Sequence, residues 1–376
     1  MNQKNPFQKT VAESVKEIKD WKNENDGVVL GYLCTYAPEE IIHAAGVLPY
    51  RVFGTGARTE SADNHLQAYA CSLVRSAMGE ALEKDLDFLD GAVFPHTCDS
   101  IQRLSDIWRL NAGMKFHFDV VHPVKLNTQG ARKYMGDILD LFRKQLGEAL
   151  GKEISNEDLS VSIRLFNRLR LMLIELYQIR EERPDLLSGA DVFKTLRASM
   201  TMERSRFALM LEQFLKDLNE QKLKPAESAV PTKIILAGGV CDHPDIYNIV
   251  EEAGAYVCWD DLCAGSRSFA GQIDENISPI EAINERYFER IECPAKHRSV
   301  RSRGERLASL VAEKNARGVI ILQLKFCDPH AFDYPYIKET LDKADIPSLL
   351  IEVEDPSRAQ GALKTRIETF VEMVKG

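Results

Sequence analysis

The segment Val28-Val29-Leu30-Gly31-Tyr32-Leu33-Cys34-Thr35-Tyr36-Ala37-Pro38-Glu39-Glu40-Ile41-Ile42-His43-Ala44-Ala45-Gly46-Val47-Leu48-Pro49-Tyr50-Arg51-Val52 decides the architecture. Val28–Tyr32 is a short continuous apolar run, which predicts a strand buried on both faces. Residues 38–45 follow as a helix, with Pro38 in a first turn where no N–H is missed. Gly46 closes it. Leu48 to Val52 predicts the next strand. Strand, helix and strand at such short intervals form the unit of a parallel sheet.

The alternation continues on both sides. Upstream, Val11, Val15, Ile18 and Trp21 keep helical spacing in an amphipathic helix over residues 1–25. Downstream, residues 68–84 read as a helix, 91–95 as a buried strand and 99–110 as a helix. Residues 129–225 differ, being rich in Leu, Arg, Glu and Lys, with the apolar residues of 159–182 at helical spacing. Near Pro231 the first pattern returns. Residues 233–239 read as a strand running into a glycine turn, 244–253 as its helix, and 255–259, 318–323 and 348–353 as further strands. Residues 365–374 read as a closing helix. The expected fold class is α/β, two lobes joined by a helical segment. The boundaries are an N-terminal helix at 1–26, a first α/β domain at 27–128, the helical segment at 129–230 and a second α/β domain at 231–376.

The chain has 376 residues, which at roughly 100–200 per domain suits this layout. The balance of 48 Lys and Arg against 57 Asp and Glu leaves a net charge of −9, which argues against nucleic-acid binding by bulk electrostatics. No apolar run approaches the roughly 18 residues of a membrane span. The polar N-terminus has no signal-peptide core. A cytoplasmic protein is expected, with neither membrane nor nucleic acid as partner.

Eight cysteines carry the chemical signal: Cys34, Cys71, Cys98, Cys241, Cys258, Cys263, Cys293 and Cys327. A reducing cytosol disfavours structural disulfides, and a single free cysteine is most often a buried apolar residue. Placement is what distinguishes these. Cys34, Cys98, Cys263 and Cys327 each lie at or just beyond the C-terminal end of an expected strand, where open α/β sheets bind ligands. None belongs to a close C-x2-C pair of the zinc or ferredoxin kind. Thiols widely spaced on separate loops suit an iron–sulfur cluster clamped between domains. Cys71 and Cys98 precede helices, whose N-termini favour thiolate, and Pro329 could start another helix after Cys327. Cys258, inside an apolar strand, reads as core. Cys241 could be either.

Residues 31–49 of the opening segment resemble the first signature of the 2-hydroxyacyl-CoA dehydratase and benzoyl-CoA reductase superfamily. Ala70-Cys71-Ser72, Thr97-Cys98-Asp99-Ser100 and Lys325-Phe326-Cys327-Asp328-Pro329, followed by Asp333-Tyr334-Pro335, are similar to its three cluster-ligand motifs. The motifs occur in order over nearly the whole chain, in the manner of the D-type subunit. The resemblance implies two Rossmann-like parallel-sheet domains flanking an iron–sulfur cluster. Cys71, Cys98 and Cys327 would ligate one [4Fe-4S] cubane. One iron would then lack a protein ligand; in the dehydratases it can take water or the substrate thioester oxygen. A separate activator, a dimeric ATPase with its own [4Fe-4S] cluster, would inject low-potential electrons.

The same superfamily includes double-cubane proteins, whose [8Fe-9S] cluster needs about six thiolates. Cys34, Cys263 and Cys293 lie where that branch tends to carry cysteine, which brings the implied set to six and leaves Cys241 and Cys258 without a role. The leading expectation is therefore ATP-dependent, low-potential reduction of a small substrate. A four-iron subunit of a radical (R)-2-hydroxyacyl-CoA dehydratase (a lyase) or of a benzoyl-CoA reductase stands second. A non-catalytic electron-storage protein stands third. A homodimer suits the first, and a heterodimer with a homologous subunit the second.

Other residues carry two readings each. Glu39 and Glu40 are candidate acids near Cys34, or simply favour a helix N-terminus. His96 and His330 flank ligand cysteines as candidate proton donors, or as hydrogen-bond partners of a cluster sulfur or a carbonyl. Arg75, Arg103, Arg267, Lys296 and Lys325 could offset an anionic cluster or bind CoA phosphates, or be ordinary surface and salt-bridge residues. Gly238-Gly239 lacks the rest of a dinucleotide fingerprint, and no P-loop occurs. ATP hydrolysis is therefore expected in a partner.

Overall fold

The computed structural model describes residues 5–9, 11–54, 60–225, 231–240, 244–353 and 360–375. Two four-stranded parallel sheets form its frame. The first comprises β1 (Val28–Tyr32), β2 (Val47–Arg51), β3 (Gly91–Pro95) and β4 (Phe116–Val120), in the order β2-β1-β3-β4. The second comprises β5 (Thr232–Gly238), β6 (Ala255–Asp261), β7 (Gly318–Leu324) and β8 (Ser348–Val353), in the equivalent order β6-β5-β7-β8. The expected α/β class holds, with two Rossmann-like lobes. In each sheet the strand order reverses between the central pair, β1 and β3 or β5 and β7. Such a reversal opens a crevice at the strands' carboxyl ends.

The helices are α1 (Val11–Asn25), α2 (Glu39–Ala44), α3 (Ser72–Leu82), α4 (Asp99–Asn111), α5 (Gln129–Leu150), α6 (Asn156–Glu182) and α7 (Gly189–Thr201). They continue with α8 (Arg204–Lys222), α9 (Pro244–Glu252), α10 (Ser266–Phe269), α11 (Pro279–Glu289), α12 (Ser302–Lys314), α13 (Asp328–Lys343) and α14 (Gln360–Lys375). Among the described residues no helix is long and apolar enough to cross a membrane.

Several expected bounds shift. The N-terminal helix begins only at Val11, and Asn5 to Lys9 lie outside it. Pro6 has no N–H to donate, and the Asn5 side chain takes the Phe7 N–H at 2.9 Å, which favours a turn. The helix expected from residue 68 starts at Ser72, because Cys71 is extended at φ −62° and ψ 152°. Strand β4 was not expected. Phe116-His117-Phe118-Asp119-Val120 interleaves polar residues with apolar ones, as an edge strand does.

Packing explains how the helical segment attaches. The face of α5 formed by Met135, Leu139, Phe142 and Leu146 buries against Leu30, Tyr32 and Val93 of the first sheet. Each such side chain contributes about 1.5–3 kcal/mol. Helices α6 to α8 build a further core that takes in Phe7 and Phe269. Ser155 and Asp158 form a reciprocal capping box at the start of α6. In the second lobe β5 buries both faces, Ile234 and Leu236 on one side and Ile235 and Ala237 on the other. Gly238 ends β5 at φ 145°, and a Cβ there would lie 2.2 Å from the Leu322 carbonyl oxygen. Only glycine permits that approach.

Candidate functional site

The crevices of the two lobes meet, and the cysteines line the junction. Cys34 follows β1, Cys98 follows β3, Cys263 follows β6 and Cys327 follows β7. Cys71, Cys98 and Cys327 occupy the N-cap positions of α3, α4 and α13. None of the three caps its helix through a side-chain hydrogen bond. The sulfurs therefore sit at helix ends whose N–H groups favour negative charge. Cys71 and the half-buried Cys98 and Cys327 pack into one apolar cluster with Leu324 and Val240 of the second lobe.

A second group faces the first. The Thr97 hydroxyl donates to Cys34 Sγ at 3.4 Å. Thr35 Oγ1 lies 3.6 Å from Cys263 Sγ, and Arg51 Nη2 lies 3.9 Å from the same sulfur. Cys293 Sγ accepts the Ala295 N–H at 3.2 Å. The Thr35 and Arg51 contacts on Cys263 join the two lobes, while the Thr97–Cys34 contact lies within the first.

Electrostatics links the two groups. Burial pushes the Cys98 thiol well above its ordinary pKa, the Ile101 N–H opposes this, and Cys71, Cys327 and Cys34 push it further. Burial raises Cys327 to about 12, with Cys71 and Cys293 adding to it. Burial raises Cys293 to about 11, with Cys34 and Cys263 adding. Cys71 is also raised, chiefly by burial. Cys263 runs the other way: burial would raise it, but Arg51, Arg267, the Thr35 hydroxyl and Arg290 outweigh burial and hold it low. Cys34 adds to the rise at Cys98, and Cys293 to that at Cys327, so the two groups feel one another's charge.

The surrounding wall is cationic. Arg51, Arg267, Arg290 and Lys296 are all buried. Lys296 donates to the His122 carbonyl at 3.0 Å. Burial holds its pKa down, while Cys293, Cys34 and Cys98 favour its charge. Arg290 donates to the Thr35 and Arg267 carbonyls and lies 4.7 Å over the Tyr36 ring. Nε and Nη1 of Arg51, Nε and Nη1 of Arg267 and the Tyr36 hydroxyl are buried without hydrogen-bond partners. Buried donors left unpaired are costly, so this wall suits an anionic group between the triads. Among the described residues no three His, Cys, Asp or Glu side chains close around a single metal ion. The soft thiols are spread around a cleft instead.

The remaining expected residues fall as follows. His330 Nδ1 lies 3.1 Å from Cys327 Sγ, and its Nε2 is buried and unpartnered. Burial, with Arg303 and Arg267, lowers its pKa to about 3, so its ring is neutral. His96 Nε2 pairs with Asp119 on β4 at 2.7 Å. Glu39 pairs with Arg204 at 2.8 Å, and Glu40 with Arg170. Arg75 pairs with Asp63, and Arg103 is exposed. Lys325 lies 5.2 Å from the Phe326 ring. Arg267 donates to the Gly238 carbonyl, and the Gly239 carbonyl takes the Cys263 N–H at 2.9 Å. The Gly-Gly turn thus builds the cysteine cleft. Cys258 is 1% exposed within β6, a core thiol as its apolar strand suggests. Cys241 lies outside the described residues.

Sequence reading missed Arg51, Tyr36, His122 and Arg290. A charged residue within the apolar run Leu48 to Val52 was the available signal for Arg51. Beside the cleft, a cavity of about 250 Å³ is lined by Arg290, Glu292, Arg303 and Arg306, among others.

The fold and site are those of a two-lobed α/β protein with six cysteines and buried arginines on the loops and helix starts between its sheets. Similarity to known proteins places it more closely. Residues 34–374 match the family model of the 2-hydroxyglutaryl-CoA dehydratase D-component, and the chain belongs to that family. It is 26% identical over 365 residues to lactoyl-CoA dehydratase subunit beta of Anaerotignum propionicum, covering 96% of each chain. It is 27% identical over 376 residues to (R)-2-hydroxyglutaryl-CoA dehydratase subunit beta of Acidaminococcus fermentans, covering 97% of each. It is 27% identical over 366 residues to a benzoyl-CoA reductase subunit of Thauera aromatica, covering 95% of this chain and 94% of that one.

Proposed function

We propose that this chain is a double-cubane iron–sulfur protein catalysing ATP-dependent, low-potential reduction of a small substrate. In this reading Cys71, Cys98 and Cys327 hold one cubane, and Cys34, Cys263 and Cys293 hold the other. What supports it is the placement of these cysteines at strand ends, helix N-caps and adjoining loops of both lobes beside buried, partly unpaired arginines, with Cys34 acting on Cys98 and Cys293 on Cys327. The spread of the thiols suits a polynuclear group better than a single ion.

When bound, the cluster would supply one-electron chemistry at low potential. The chain's own groups do the rest. The helix N-termini at Cys71, Cys98 and Cys327 and the buried cations offset thiolate charge. His330, whose Nδ1 lies beside Cys327 Sγ, is proposed as the proton-transfer group on this side. His96, fixed by Asp119, and Glu39, fixed by Arg204, complete the proposed catalytic groups. The polar cavity beside Arg290 has room for a small molecule, which supports a small substrate. Electrons would come from a [4Fe-4S] activator ATPase, since no P-loop occurs here. The setting would be cytoplasmic and anaerobic, with the chain as a homodimer.

A second reading is supported by the relatives, whose names describe subunits of dehydratases and of a reductase. In it the chain is a four-iron subunit working with a homologous partner on a CoA thioester. A third, electron storage without turnover, shares the cluster of the first. Iron and acid-labile sulfide per chain, measured after anaerobic purification, separate them. About eight irons support the double cubane, and about four favour the subunit reading. Turnover of small substrates with the activator then separates enzyme from store. No iron after anaerobic reconstitution would sink all three.

A further inference from the structure

The two thiol triads differ in what surrounds them. Cys71, Cys98 and Cys327 sit at helix N-termini, and of the cations near them in sequence Arg75 turns to Asp63 and Arg103 to the surface. Cys263 has the Arg51 guanidinium beside its sulfur and feels the charge of Arg267, and water barely reaches either. Arg51 is 1% exposed and Arg267 2%. Arg51 projects from the end of β2 in the first lobe, stacks 5.5 Å from the Tyr32 ring centroid and brings Nη2 to 3.9 Å from Cys263 Sγ. Among the described residues it has no carboxylate partner. Arg267 projects from α10 in the second lobe, with Nη2 on the Gly238 carbonyl and Nε 3.7 Å from Asp261 Oδ1. Each keeps Nε and Nη1 without a hydrogen bond.

A buried guanidinium without a full set of acceptors costs several kcal/mol. Arg51, brought to the Cys263 sulfur from the first lobe, and Arg267, buried in the second lobe close enough to act on the same thiol, imply an acceptor-rich anion there. The inorganic sulfides of a cluster are such acceptors, and N–H groups directed at cluster sulfur raise its reduction potential. Fixed positive charge does the same, because it favours the form carrying the extra electron.

Resting on the double-cubane reading, we infer that Arg51 and Arg267 form a cationic brace that draws the added electron to the Cys34–Cys263–Cys293 half of the site. The step is a one-electron reduction. The activator, or a low-potential chemical reductant in its place, is oxidised, and the braced half is reduced with no bond made or broken in the chain. Arg51 and Arg267 are positioning residues here: they set where the electron rests.

The test uses the full chain, loaded with iron anaerobically and titrated with a titanium(III) chelate while absorbance and electron paramagnetic resonance are followed. Arg51→Met should keep full iron and sulfide and move the first reduction step to a more negative potential. Arg51→Lys, which keeps charge but loses the fork, should fall between. Arg103→Met, on the exposed face of α4, should match the parent. Full iron with an unmoved first step in Arg51→Met would overturn the brace, as would a shift confined to a later step. If Arg51→Met folds by circular dichroism but loses iron, Arg51→Lys decides. Iron kept with a first step more negative than the parent's supports the brace, whereas iron lost again, or kept with an unmoved step, overturns it. A parent chain that binds no iron, or only four, sinks the double-cubane reading itself, a result distinguishable before any variant is made.

Discussion

Arg170 on α6 and Glu40 on α2 form an ion pair whose side chains are 5% and 1% exposed. Arg286 on α11 lies 3.8 Å from the same carboxylate, and the Tyr287 hydroxyl donates to it at 3.3 Å. Tyr287 also donates to the Ala37 carbonyl at 2.7 Å. Glu40 thus ties the turn after Cys34 to the helical segment and to α11. Glu40→Gln should destabilise the chain by about 3–5 kcal/mol, because two arginines lose their buried counter-charge. Denaturant unfolding of the metal-free chain measures it. A loss below about 1 kcal/mol would mean the pair is structurally idle.

The N-cap positions of Cys71 and Cys98 allow a clean test of ligation. Serine caps helices well and should leave the metal-free chain about 0.5–1 kcal/mol more stable than alanine does at either site. Cys98→Ser should nevertheless lose the iron of its cubane. Cys327→Ala should do likewise, and Cys293→Ala should lose about half the total in a double cubane. Iron retained in full by Cys293→Ala would make Cys293 an ordinary thiol.

Cys263 should react faster than Cys98, Cys293 and Cys327 in the metal-free protein. A pKa lowered by Arg51 and Arg267 leaves more thiolate at any given pH, whereas Cys98, Cys293 and Cys327 are raised. Iodoacetamide at about pH 8, with labelled peptides quantified by mass, should mark Cys263 ahead of those three. Labelling of Cys327 as fast as Cys263 would contradict it.

His122 gives the acid side of the stability profile. It is 2% exposed, its Nε2 bonds the Tyr36 carbonyl at 2.7 Å, and burial, with Lys296, lowers its pKa to about 3. Folding therefore favours the neutral ring. The stability this gives is whole above the unfolded pKa near 6.5 and drains as pH falls toward the folded value, by up to about 1.4 kcal/mol per pH unit. His122→Phe should remove that slope while costing about 1 kcal/mol for the lost hydrogen bond. Stability measured from neutral to acidic pH in both chains checks it; an unchanged slope would assign the acid sensitivity elsewhere.

The α/β class was legible because it depends on local patterning. Val28–Tyr32 and the run through Ile234 and Leu236 are apolar without break, and only strands buried on both faces read so. Glycine and proline marked the ends of several elements for equally local reasons. The placement of Cys34, Cys98, Cys263 and Cys327 after strands was readable too, since each follows such a run. What the chain could not state along its length was which strands are neighbours. The equivalent orders β2-β1-β3-β4 and β6-β5-β7-β8, and the meeting of their crevices, depend on contacts between residues far apart along the chain, 212 positions in the case of Arg51 and Cys263. Arg51 near Cys263, Thr97 on Cys34 and Arg170 on Glu40 are of that kind. Periodicity reports which face of an element is buried; only tertiary packing decides which charge or thiol it is buried against, and that choice builds the site.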